Sequence, residues 1–310
     1  MIIKDFPANF LLIVLGLTAS AASAAKDPDP LFAENSTLDV RLTAPFKRLM
    51  SERSDEEELA GTFAVVLADG EMLELPVQIR LRGNYRMQSD VCRFAPLRLN
   101  FKKGETKNTL LHKQNKLKLV THCNSKSERY RQAVVREYLA YRTLNLLTDI
   151  SFRVRLLNIK YVDEANGSEE TNYGILIESK ERLGKRIEMT PSSLQAVNIG
   201  RLDPAHTNLG SLYQYLLSNL DFSPVQGSGG EPCCHNYTLF SPENSTTSPG
   251  STTYWSVPYD FDMAGFVEPP HLGINAKYNQ RHTQDRKYRG RCRNNEHLPD
   301  TLQLFRDKRT

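Results

Sequence analysis

The polar residues best suited to chemistry fall in the last third of the chain. Asp221 follows the apolar run LYQYLLSNL, Asn236 comes after an intervening loop that ends in His235, and Asp260 and Asp262 close the run YWSVPYDFD. Carboxylates at the ends of elements tend to face clefts. An Asp, an Asn and a further pair of Asp residues delivered in this way suit a hard divalent cation that shares its ligand shell with phosphate oxygens. Phosphoryl transfer needs little else: one Asp to orient the incoming nucleophile, and an Asn and an Asp to hold the metal. The same residues also fit plainer roles, with Asp221 and Asn236 in turns or caps and Asp-Phe-Asp simply closing a strand. No short-range spacing ties them together.

The elements that must position these residues are legible in part. The segment GTFAVVLADGEMLELPVQIRLRGN has β-branched runs on either side of Asp69-Gly70, a hairpin signal. In its second arm Val77, Ile79 and Leu81 alternate with Gln78, Arg80 and Arg82, so one face is buried and the other charged. Further strands are predicted at Phe94 to Phe101, Lys116 to Val120, Phe152 to Val162, Tyr173 to Ile177 and Thr253 to Val257. Ser127 is positioned to cap a helix from Glu128 to Leu147, with Tyr130, Val134, Tyr138 and Tyr141 at helical spacing. Thr207 to Leu220 and Pro299 to Arg309 read as two more helices. Strands, then a helix, a hairpin and mostly helix predict a two-lobed α+β domain.

Residues 1–24 combine Lys4, an apolar stretch from Phe10 to Leu17 and a terminal Ala22-Ser23-Ala24, which reads as a cleaved signal peptide. The apolar stretch is well short of the ~20 residues of a membrane helix, and the alternative is an uncleaved anchor. Cleavage would leave an exported protein, periplasmic or secreted, with a lead-in over residues 25–37, one domain over 38–310 and no transmembrane segment. In an oxidising compartment the five cysteines tend to pair. Cys92 and Cys123 share one region, Cys233 or Cys234 could reach Cys292, and an odd count leaves one thiol over. The net charge of +4 over 310 residues is too mild for a nucleic-acid partner.

The pattern N-x-D…N…P-Y-D-x-D resembles the active-site half of the spore-coat CotH family of atypical protein kinases, and more distantly HipA-type and aminoglycoside kinases. The amino-terminal half is similar too, through VQIRLRGN, the strand KLKL with the helix RQAVVREYLAYRTLN after it, and Tyr173-Gly174-Ile175 leading to Glu178. The resemblance runs from about Leu38 to Leu304. It implies a two-lobed protein-kinase-like fold, with an antiparallel-sheet amino-terminal lobe and a mostly helical carboxyl-terminal lobe. It also implies ATP, Mg²⁺ or Mn²⁺, and a protein Ser or Thr acceptor. Asp221 would then be catalytic, orienting the acceptor hydroxyl, while Asn236 and Asp260 bind metal and Asp262 joins or supports them. Lys118, which shares a strand face with Lys116, would meet the phosphates and pair with Glu137 of the following helix. Arg82, Gly83 and Asn84 would form a turn over the phosphates, since glycine permits close backbone approach.

One departure bears on this. The loop FSPVQGSGGEPCCH between Asp221 and Asn236 is longer than such folds usually carry. It implies either a disulfide-pinned flap, a displaced Asn236, or another residue such as His235 in its place. The competing function is therefore a catalytically inactive binding or structural module of the cell envelope or surface. A metal-dependent phosphoester hydrolase is a third.

Overall fold

The computed structural model describes residues 25–67, 69–229, 231–243 and 252–309; the predicted signal peptide and most of the Ser/Thr/Gly-rich stretch after Ser241 lie outside them. The chain begins with a helical turn α1 (Pro30–Ala33), strand β1 (Leu38–Ala44) and helix α2 (Phe46–Glu52). The Asp69-Gly70 hairpin joins β2 (Leu59–Val66) to β3 (Met72–Leu81), with Gly70 at φ 86° and the Asp69 carboxylate accepting from the Glu71 amide at 3.0 Å. Strands β4 (Leu97–Asn100) and β5 (Lys116–Val120) follow, then helix α3 (Glu128–Leu147) and the long pair β6 (Val154–Asp163) and β7 (Glu169–Ile177).

These seven strands close into a barrel in the order β1-β2-β3-β4-β5-β7-β6. Closure comes from β1, which pairs antiparallel with β2 and parallel with β6, setting Val40 against Ile159. Alternation makes this possible. Val40, Leu42 and Ala44 point inward with Phe63, Val77, Ile79, Leu99, Leu117 and Leu157, filling the interior.

The second half contains helix α4 (Lys180–Arg186), β8 (Met189–Pro191), helix α5 (Pro204–Leu216), β9 (Tyr237–Pro242), β10 (Trp255–Pro258) and helix α6 (Leu298–Asp307). Strands β10, β9 and β8 form a separate three-stranded sheet. A second core joins it to α3 and α5 through Val134, Tyr141, Tyr213, Phe240, Val257 and Phe261.

The predicted two-lobed protein-kinase-like fold is therefore corrected. The amino-terminal sheet is a closed mixed barrel rather than an open antiparallel one, because β1 bridges its two edges. The carboxyl-terminal half is not mostly helical, since the described residues between 217 and 297 carry two strands, short 3₁₀ turns and irregular segments. Its principal helix begins at Pro204, not Thr207. Asp203 caps it by accepting from the His206 amide at 2.8 Å, and proline suits the first position. Ser127 precedes α3 without a side-chain cap. The lead-in is packed rather than loose: Leu31 and Phe32 are buried in the barrel core and Asp29 pairs with Arg182 at 2.6 Å. Cys92 is bonded to Cys123, Cys233 to its neighbour Cys234, and Cys292 is a free, exposed thiol, so no bond joins the 233–234 pair to Cys292.

Candidate active site

Asp221 is set by the end of α5. There the chain turns through Ser218 at φ 54°, and the buried Asn219 accepts from the Asp221 amide at 2.9 Å while donating to Gln214 at 2.9 Å. The following loop folds back on itself: the Ser223 amide donates to the His235 carbonyl at 2.9 Å and the His235 amide to Gln226 at 3.0 Å. The long insertion thus returns the chain to its start. Asn236 Nδ2 donates to the Asp221 carbonyl at 2.7 Å and to its carboxylate at 3.0 Å. These two bonds hold the Asn236 side chain against Asp221.

His235, named from the sequence as a candidate substitute for Asn236, meets Asp221 Oδ1 through Nε2 at 2.7 Å. That hydrogen bond raises its pKa, with burial opposing. The signal was its position beside Asn236.

Asp260 and Asp262 flank Phe261, which is fully buried against Tyr141 and Tyr213 with ring centroids 4.8 and 5.7 Å away. Burying the middle residue turns both carboxylates toward one locus. Asp260 sits in left-handed backbone at φ 59°, as does Asn236 at φ 55°, a conformation Asn and Asp tolerate better than most residues. The Asp260 amide donates to the Tyr141 hydroxyl at 2.7 Å, and the Tyr259 amide to the Asn236 carbonyl at 3.0 Å, tying the two segments together. Burial, then the charge of Asp260, raises the Asp262 pKa to about 7; Asp221 adds to this and Arg86 opposes it.

Lys118 and Glu137 do not form the implied pair. Glu137 faces Asp262 and Asp260, with burial foremost in holding its pKa well above the ordinary carboxylate range, and its Oε1 has no hydrogen-bond partner. The cation at that place is Arg86, which lies 3.5 Å from Asp262 and donates to the Thr121 carbonyl at 2.7 Å. Sequence reasoning missed Arg86, two residues after the R-G-N motif. The Lys118 ammonium instead lies over the Tyr259 ring, 4.4 Å from its centroid. Burial, then the neighbouring Arg82, lowers its pKa to about 7. Arg82 therefore stands near both Lys118 and Glu137, while Gly83, at φ 91°, makes the turn and Asn84 donates to Glu231 at 3.1 Å. Arg80 is spent on Glu58 and the Asp55 carbonyl. Glu178 is structural, buried in an ion pair with Arg186 at 2.9 Å.

Among the described residues no three His, Cys, Asp and Glu side chains are gathered closely enough to hold a metal ion by themselves. A magnesium-like ion does not require that, since it is usually held by one or two carboxylates, waters and the phosphates of its substrate. Asp260 and Asp262 supply such carboxylates, with Asn236 tied to their segment by the bond from the Tyr259 amide. The close approach of Asp260, Asp262 and Glu137, with Arg86 paired to Asp262 and Glu137 Oε1 without a hydrogen-bond partner, fits a cation. Compared with known proteins, the chain matches no family model and no curated protein.

Proposed function

We propose that the protein is an exported phosphotransferase that moves a phosphoryl group to a protein Ser or Thr hydroxyl, with ATP as the expected donor and Mg²⁺ or Mn²⁺ as cofactor, as in the CotH-like atypical kinases. The observation that carries the reading is the meeting of Asp221, His235 and Asn236 with Asp260 and Asp262 beside Lys118 and the Arg82-Gly83-Asn84 turn. Asp221 would hold the acceptor hydroxyl through a remaining lone pair, and the hydrogen bonds from His235 and Asn236 would fix its orientation. Asp221 would take up the hydroxyl proton while His235 donates to its other oxygen. Lys118 and Arg82 would meet the donor phosphates. Asp260, Asp262 and Asn236 would hold the divalent cation, which would neutralise phosphate charge when bound. The disulfide between Cys92 and Cys123 accords with an exported chain.

The test is incorporation of labelled phosphate into protein by the purified chain, with and without divalent metal. Asp260→Asn should abolish it, and equal labelling by the variant would refute the assignment. The second reading, a binding module without transfer, is favoured by one observation: no ion pair joins Lys118 to Glu137 among the described residues. It predicts ligand-induced stabilisation without any labelling.

A further inference from the structure

A cleft of about 1080 Å³ opens beside Lys118 and Tyr259 and runs along the loop between β4 and β5 and the start of α4. Its walls carry Arg98 of β4, Lys107 and Lys113 of that loop, Lys116 and Lys118 of β5, and Lys180 of α4. Among the described residues none of these six is ion-paired, and the Arg98 Nε is buried with no hydrogen-bond partner. Of the carboxylates lining the cleft, Glu178 is neutralised by Arg186, which leaves Glu181 and Glu231. Positive charge thus continues well past Lys118. A nucleoside triphosphate is anionic at one end only, and its base needs a flat apolar slot.

The cleft has three aromatic rings, and each is engaged. Tyr259 lies under the Lys118 ammonium, Phe152 packs against Tyr259 at 5.7 Å, and Tyr237 packs against Phe222 at 5.7 Å. A ligand matched to this run of lysines is anionic along its whole length.

We propose that the cleft takes a linear inorganic polyphosphate, its terminal phosphoryl toward Asp260 and its chain along Lys118, Lys116, Lys113 and Lys107, and that this polymer serves as phosphoryl donor. The inference rests on the phosphotransfer reading above. The acceptor hydroxyl oxygen bonds to the terminal phosphorus as the bridging P–O bond breaks. The bond's electron pair stays on the bridging oxygen of a chain one phosphate shorter, and the hydroxyl proton goes to Asp221 and then to water. No redox partner is needed.

The test has a binding arm and a transfer arm on the same purified chain with Mn²⁺ present. Binding is read as fluorescence anisotropy of end-labelled polyphosphate across a salt series. Transfer is read as phosphoserine or phosphothreonine by mass spectrometry on dephosphorylated casein, with polyphosphate or ATP as donor. Polyphosphate should bind with an affinity that falls steeply with salt, as counterion release requires. Lys107→Glu with Lys113→Glu should weaken binding by about tenfold or more, since two attractions become repulsions. The matched reversal at exposed Lys308 and Arg309 should not, and equal melting temperatures would show that both variants fold. Asp260→Asn should keep binding and lose transfer. Transfer from ATP alone, with polyphosphate neither bound nor used, would overturn the inference and leave the phosphotransfer reading standing. Polyphosphate binding without transfer from either donor would overturn both. Unchanged binding by the Lys107 and Lys113 variant would overturn the placement of the chain.

Discussion

Replacing Asp262 with Asn tests the electrostatics of the site most directly. Asp262 is largely buried next to Asp260, and its pKa is raised from 3.8 to about 7. The folded protein therefore retains a proton that the unfolded chain has already released. Stability falls as pH rises through this window and levels off above about 7. A gap of about three pKa units corresponds to about 4 kcal/mol, at 1.36 kcal/mol per unit. The pull of Arg86 is already contained in that figure, since it opposes the shift. Asparagine keeps the shape and stays neutral at every pH. Asp262→Asn should match the wild type near pH 4 and become more stable as pH rises, by up to about 4 kcal/mol at pH 7 to 8. Urea unfolding in EDTA at a series of pH values measures the difference. Added Mg²⁺ or Mn²⁺ should narrow the gap, because a cation compensates the carboxylate that the variant lacks. A variant less stable than wild type at pH 8 in EDTA, or a difference that does not change between pH 4 and 7, would refute the reasoning.

Two other perturbations separate packing from chemistry. Phe261→Ala removes a fully buried ring between α3 and α5 and should cost about 3–5 kcal/mol in urea unfolding. It should also abolish labelling, because both neighbouring carboxylates lose their anchor; full activity in a folded variant would contradict the positioning argument. Replacing Cys92 and Cys123 together by Ser opens a loop of sequence separation 31 and should lower stability by about 3–4 kcal/mol on the chain-entropy account. Urea unfolding without reductant checks this, and a double variant as stable as the wild type would be inconsistent with it.

Parts of the site were legible from residue types alone. Asp221 and Asn236 are in contact despite the loop between them, and Asp260 and Asp262 share one locus because the intervening phenylalanine is buried. The partner of Glu137 was not legible. Its position in α3 identified a buried acid, but the choice between Lys118 and Arg86 depends on how the barrel sits against that helix. His235 was undervalued because a histidine beside an asparagine has many plain uses. Its bond to Asp221 exists only once residues 223 to 235 have folded back. The cationic cleft likewise drew on three elements whose lysines, read singly, look like ordinary solvated side chains.

Local chemistry was sufficient for the Asp69-Gly70 hairpin, the alternating face of β3, strand β5 and the 20-residue helix α3, since turn preference and periodicity act over a few residues. The sequence by itself also placed four acidic and amide groups at the ends of elements. Barrel closure was decided elsewhere. The parallel pairing of Leu38 with Leu157, and the six registers that follow it, joins segments far apart in the chain. No local signal distinguishes such a strand from one that ends a sheet. Only the burial gained when β1 covers both edges makes the closed barrel the lower-energy arrangement.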